Sequence, residues 1–167
     1  MTSPVAAASF PLQIERTLHA PRAAIWRCWT EPDLLMQWYC PLPWRVTQAQ
    51  MEMRSGGRFF VQMQCPQGEQ VPCPGVCLQV ETGRRLVFTD ACLQAWVPSP
   101  KPFMVGDITL DDAPGGGTHY LARGLHWNAQ DRDEHLKMGF EGGWNAAADQ
   151  LEALARTLRW LRGAIPA

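Results

Sequence analysis

The chain has 167 residues, enough for one domain with a core of its own and too few for a second of ordinary size. Fifteen Lys and Arg face sixteen Asp and Glu, a formal charge of −1, with 46% hydrophobic and 19% charged residues, which excludes disorder and a general nucleic-acid binder with its basic excess. No apolar run approaches the roughly 20 residues of a membrane helix and no export signal opens the chain, so a soluble cytoplasmic protein is expected.

Residues 1–10 are read as a loose lead-in, small and aperiodic at first, and 11–162 as a single domain. Leu12, Ile14 and Leu18 alternate with polar neighbours, the period of a half-buried strand. Pro21 opens a short helix through about Trp29, and Glu31-Pro32-Asp33 starts a second helical turn that ends before Pro41. The middle is a series of short alternating runs whose gaps are too short for parallel crossovers, so antiparallel pairing is expected. These runs are residues 44–53, where the apolar phase slips between Val46 and Met51, then 59–64, 76–80, 86–89, 104–110 and 118–127. The proline-rich stretch Cys65 to Pro74 reads as a loop, as does Trp96 to Lys101.

The period then lengthens. Leu136, Phe140, Trp144, Ala147, Leu151, Leu154, Leu158 and Leu161 recur every three or four residues and fall on one stripe of a long helix. Asp131 with Glu134 resembles a capping box and predicts a start near residue 132, and at 1.5 Å per residue the helix would run roughly 45 Å across the sheet. Gly139, Gly142 and Gly143 interrupt it. Close packing of backbone against a neighbour is the first explanation, and volume left open for a cavity is the second. A single helical stripe cannot fill the concave side of a curved sheet, so a pocket between the two is expected.

Six cysteines without an export signal read as free thiols, and the histidines at 19, 119, 126 and 135 complete no zinc spacing, so neither metal nor cofactor is expected. Eight tryptophans suit either a Trp-rich core or a site where apolar surface meets a polar group.

The segments Ala20-Pro-Arg-Ala-Ala-Ile-Trp26, Ser55-Gly-Gly-Arg-Phe59, Arg85-Leu-Val-Phe-Thr89, Lys101-Pro-Phe-Met104, Gly115-Gly-Gly-Thr118 and His135-Leu-Lys-Met-Gly-Phe-Glu-Gly-Gly-Trp144 occur in the order found in the SRPBCC superfamily. Over residues 11–158 the chain resembles its branch of activator of heat-shock protein 90 ATPase homologues, also called polyketide-cyclase-like or START-like. The resemblance implies an α+β helix-grip fold. In it a seven-stranded antiparallel sheet curves around a long C-terminal helix, with two short helices between strands 1 and 2. It also implies an apolar ligand held between sheet and helix. Where the branch carries acidic residues after the helical His and a His-Glu pair before Gly-Trp, this chain has Leu136, Lys137, Glu141 and Gly142. The eukaryotic activator's additional chaperone-contacting domain is not expected in a chain of 167 residues.

The expected function is therefore binding of a small apolar or aromatic ligand. The candidate wall is Trp29, Trp38, Phe88, Trp96, Phe103, Met138, Phe140 and Trp144, and His126 and His135, expected to meet at the cavity mouth, are the polar candidates. One alternative is a cyclase- or hydrolase-type enzyme acting on an apolar aromatic or polyketide-like substrate, with Asp90, His126, His135 or Glu141 as general acid or base. Another is a co-chaperone-like module whose exposed Trp96 loop contacts a partner. A homodimer and a chaperone contact stay open; nucleic acid and membrane are not expected as partners.

Overall fold

Pro21, with φ already fixed near −64°, leads directly into α1 (Arg22–Thr30), and Pro32 at the first helical position opens α2 (Pro32–Leu35). These two short helices follow β1 (Leu12–Leu18). The computed structural model describes residues 9–163, with side chains to residue 158. Seven strands come next: β2 (Arg45–Met51), β3 (Phe59–Gln64), β4 (Gln70–Cys73), β5 (Val76–Glu81), β6 (Arg85–Thr89), β7 (Val105–Asp112) and β8 (Thr118–Leu125). Two helices close the chain, α3 (Ala129–Lys137) and α4 (Phe140–Gly163).

The strands form two antiparallel sheets, β1-β8-β7-β6-β5 and β2-β3-β4, where one seven-stranded sheet was expected. The ladder is interrupted between β3 and β5. A single bridge, Arg58 to Val76, and backbone bonds from Phe59 N to Gly75 O and from Cys77 N to Gly57 O join the two sheets there. Two glycines beside this bridge have no room for a side chain: a Cβ on Gly75 would lie 2.6 Å from Thr89 O, and one on Gly57 would collide with Glu52 O. The additional strand is β4, expected as loop because of its prolines. It pairs only with β3, and a proline such as Pro72 is tolerated on an edge strand, where one side of the backbone needs no partner. The phase slip in the first middle run is a β-bulge between Val46 and Gln48.

The long helix starts earlier than expected and is two helices. Asn128 caps α3, accepting from Asp131 N at 2.8 Å while its amide donates to the Asp131 carboxylate, so the capping box lies three residues upstream of the Asp131–Glu134 pair. Gly139, at φ +94°, then separates α3 from α4 in a left-handed conformation that ordinary side chains rarely adopt. The apolar stripe therefore begins at Phe140 and continues through Ala147, Leu151 and Leu158, whereas Leu136, on the other helix, is 50% exposed. Leu161 lies beyond the described side chains. The 24 residues of α4 span about 36 Å across the five-stranded sheet.

On β8 the buried face is Thr118, Tyr120, Ala122 and Gly124, with Leu121 and Leu125 half-buried opposite. Small residues on that inner face let the helices come close. A Cβ on Gly124 would touch Phe140, His126 and His135 at 3.4–3.6 Å. On β7, Gly106 faces Phe88 across the ladder, and a Cβ there would collide with the Phe88 ring, so this glycine lets the ring lie flat over the strand.

Candidate ligand cavity

Between α4, the short helices and the inner face of the sheet lies a cavity of about 310 Å³, at the small end of the range for ligand sites. Its walls include Trp29, Trp38, Phe88, Phe140 and Trp144, together with Ile14, Met63 and Met104, and no Lys, Arg, Asp or Glu is among its lining residues. The aromatic rings hold one another in place. Trp29 meets Trp38 edge-on at 4.8 Å, Phe59 stacks on Phe88 at 4.4 Å, and Phe140 packs on Trp144 at 4.4 Å. Met138, 75% exposed, stands at the opening beside Gly139.

Gly142 and Gly143 do not mark close packing. A Cβ on Gly142 would meet nothing within 4 Å, and one on Gly143 would only reach Pro41 Cγ at 4.0 Å. Gly139 and Gly143 both line the cavity, whereas Gly142 is exposed and lies outside it.

His126 and His135 meet, but in buried surroundings where the cavity mouth was expected. His126 Nδ1 lies 2.9 Å from Phe10 O, and since a carbonyl can only accept, Nδ1 carries the proton. In the neutral ring His126 Nε2 is then an acceptor. It sits 2.9 Å from His135 Nδ1, which must donate to it. The relay leaves His135 Nε2 as a lone pair on a ring that lines the cavity. Burial, reinforced by the neighbouring His126, pushes the His135 pKa down to about 4, so the ring is neutral at physiological pH. Ser9 O also accepts from His126 N, so the last two residues of the expected loose lead-in tether this pair, while residues 1–8 lie outside the described region.

Of the expected wall residues, Trp29, Trp38, Phe88, His135, Met138, Phe140 and Trp144 come together at the cavity. Phe103 and His126 sit one layer behind, packed on the His135 ring at 4.9 and 5.1 Å. Trp96 is elsewhere. It is 67% exposed with its ring against Gly56, on a 93–97 loop that closes on itself through a Leu93 N to Val97 O bond. Asp90 accepts from the Phe103 and Met104 amides and so clamps the base of that loop, and Glu141 is exposed.

Several lining residues carried no sequence signal. Tyr39 and Tyr120 line the cavity, and burial raises the pKa of both so that they stay protonated. Cys40 is a free thiol, pushed up to about 12 by burial and so inert as a nucleophile at neutral pH. Gln150 was also unforeseen. Its amide donates to Trp38 O and Cys40 O and its oxygen accepts from Leu42 N, fastening the segment that bears Trp38 to Pro41 onto α4. Among the described residues no His, Cys, Asp or Glu cluster could hold a metal, and no helix is long and apolar enough to cross a membrane.

Residues 19–156 match the family described as Activator of Hsp90 ATPase homolog 1-like protein. A protein of Nitrosomonas europaea known from its crystal structure is 34% identical, with a TM-score of 0.86 over 89% of this chain and 96% of that one. A Mycobacterium smegmatis protein is 25% identical, with a TM-score of 0.73 over 87% of this chain and 90% of that one. An AHSA1-like protein from Aeromonas hydrophila, at 18% identity and a TM-score of 0.67 over 89% and 93%, shares the fold. No curated protein matches the sequence.

Proposed function

The chain belongs to the family of Activator of Hsp90 ATPase homolog 1-like proteins within the SRPBCC superfamily, and we propose that it binds a small apolar or aromatic ligand between its sheet and its C-terminal helix. The observation that carries this reading is a 310 Å³ cavity walled by aromatic rings, free of charged lining residues, and opening beside Met138. Apolar walls of this kind are poorly solvated, and the apolar surface of a ligand would replace the water against them. Binding is favoured over acid–base chemistry because the lowered His135 pKa makes that ring a weak base at neutral pH. Native mass spectrometry of the purified protein tests this: a stoichiometric small molecule that leaves on denaturation is expected. An empty protein that also fails to take up neutral two-ring aromatics would overturn it.

A second reading, a protein-contact module, is favoured by one observation. Leu93, Trp96 and Val97 are exposed on one loop, an apolar surface of the kind that partners cover. If this loop acts on a chaperone, the protein will stimulate Hsp90 ATPase turnover and Trp96→Ala will abolish the stimulation without emptying the cavity.

A further inference from the structure

The direction of the hydrogen bonds through His126 and His135 is set from outside the cavity. The Phe10 carbonyl can only accept, so it takes the His126 Nδ1 proton at 2.9 Å and leaves the neutral His126 ring with a bare Nε2. That nitrogen lies 2.9 Å from His135 Nδ1 and holds the His135 proton there. The opposite tautomer of His135 would set two lone pairs against each other between buried rings. His135 Nε2 is thereby fixed as an acceptor.

This nitrogen has no hydrogen-bond partner among the described residues, yet it differs from the buried nitrogens in the same condition. Those are Trp29 Nε1, Arg58 Nε and Arg123 Nε, each essentially without accessible surface. His135 Nε2 is not one of them, so it keeps accessible surface, on a ring that is 8% exposed and lines the cavity. Phe140 and Trp144, also in the wall, flank that ring at 5.0 and 5.9 Å, and Phe103 backs it at 4.9 Å. An apolar ligand covering the nitrogen would strip its water and give nothing in return. Tyr39 and Tyr120 line the cavity too, but a phenolic hydroxyl can donate or accept, so they set no condition on the sign of the partner. His135 does.

We propose, building on the ligand-binding reading above, that the ligand is a neutral aromatic compound bearing a hydroxyl group, and that this hydroxyl donates its proton to His135 Nε2. A ketone or ether oxygen in the same place would meet lone pair with lone pair. His135 touches the ligand, and His126 is the positioning residue that sets which way His135 bonds.

Nitrogen NMR of the unliganded protein tests the first step. Protonated and bare imidazole nitrogens resonate in separate regions, and His135 should show a protonated Nδ1 and a bare Nε2; the reverse would overturn the proposal. The second step compares 2-naphthol with 2-methylnaphthalene, which carries a methyl in place of the hydroxyl. In the intact protein the His135 Nε2 resonance should lie upfield in the naphthol complex relative to the methylnaphthalene complex, the direction that accepting a hydrogen bond produces. By calorimetry, the ratio of naphthol to methylnaphthalene affinity should fall about tenfold in His135→Leu, which keeps an apolar side chain of similar size and removes the acceptor. Should that variant fail to fold, the wild-type spectra decide alone. Coincident Nε2 resonances in the two complexes, or an unchanged affinity ratio, would overturn the hydroxyl recognition while leaving a ligand cavity in place. If neither compound binds, the cavity reading itself falls and this proposal with it.

Discussion

His135 couples the site to pH at the level of a single side chain. Its ring is buried against Phe103, Phe140 and Trp144, and the desolvation this imposes, more than the neighbouring His126, lowers its pKa from 6.5 to about 4. Between those values the unfolded chain takes up a proton that the folded chain refuses. The stabilisation from a neutral His135 is therefore complete above pH 6.5 and is lost as the pH falls toward 4, by up to roughly 3 kcal/mol. Urea unfolding at pH 7.5, 5.5 and 4.5 should show this decline, and His135→Gln should flatten it; an undiminished slope in the variant would assign the effect to another group. Gln150 is the other residue on which the site depends. Its three hydrogen bonds tie the Trp38 segment to α4, and Gln150→Ala, which leaves those backbone groups short of a partner, should cost about 1–3 kcal/mol by the same assay.

The glycines between α3 and α4 act at the scale of the element, and they divide by backbone geometry. Gly139 sits at φ +94°, where any Cβ is strained, so Gly139→Ala should destabilise the fold by about 1–2 kcal/mol. Gly142 has helical backbone and open space around it, so Gly142→Ala should leave stability unchanged or raise it by up to about 1 kcal/mol. Thermal melts of the two variants moving in opposite directions would establish the break as a built feature of the chain. Both glycines sit in one segment of the sequence and look alike there, because periodicity reads straight through a left-handed residue. The same limit explains β4: the prolines at Pro66, Pro72 and Pro74 signal a loop, and only the edge position of the strand makes Pro72 admissible.

At the scale of the molecule the decisive feature is that α4 spans the sheet without filling the space beneath it. Gly143 lines that space with little opposite it, so Gly143→Leu should occupy the cavity and abolish uptake of a neutral aromatic probe, at a cost in stability far below that of overpacking a filled core. Calorimetry of the variant beside the wild type checks this; undiminished uptake would place the bound probe elsewhere. The sequence by itself determined the antiparallel runs, the two proline-led short helices and the apolar stripe of α4 from Phe140 onward, because each rests on local periodicity or on a proline at a helix start. Only the tertiary structure decided which rings face inward. Trp96 is as aromatic as Trp29, yet its loop closes on itself and carries the ring out to Gly56, whereas Trp29 is held between Trp38 and Phe88. Tyr120 and Gln150 lack a local signature, since their roles arise from backbone and side chains far away in the chain. The division into two sheets was equally hidden, because the close approach at Gly57 and Gly75 joins segments across a gap that no local pattern records.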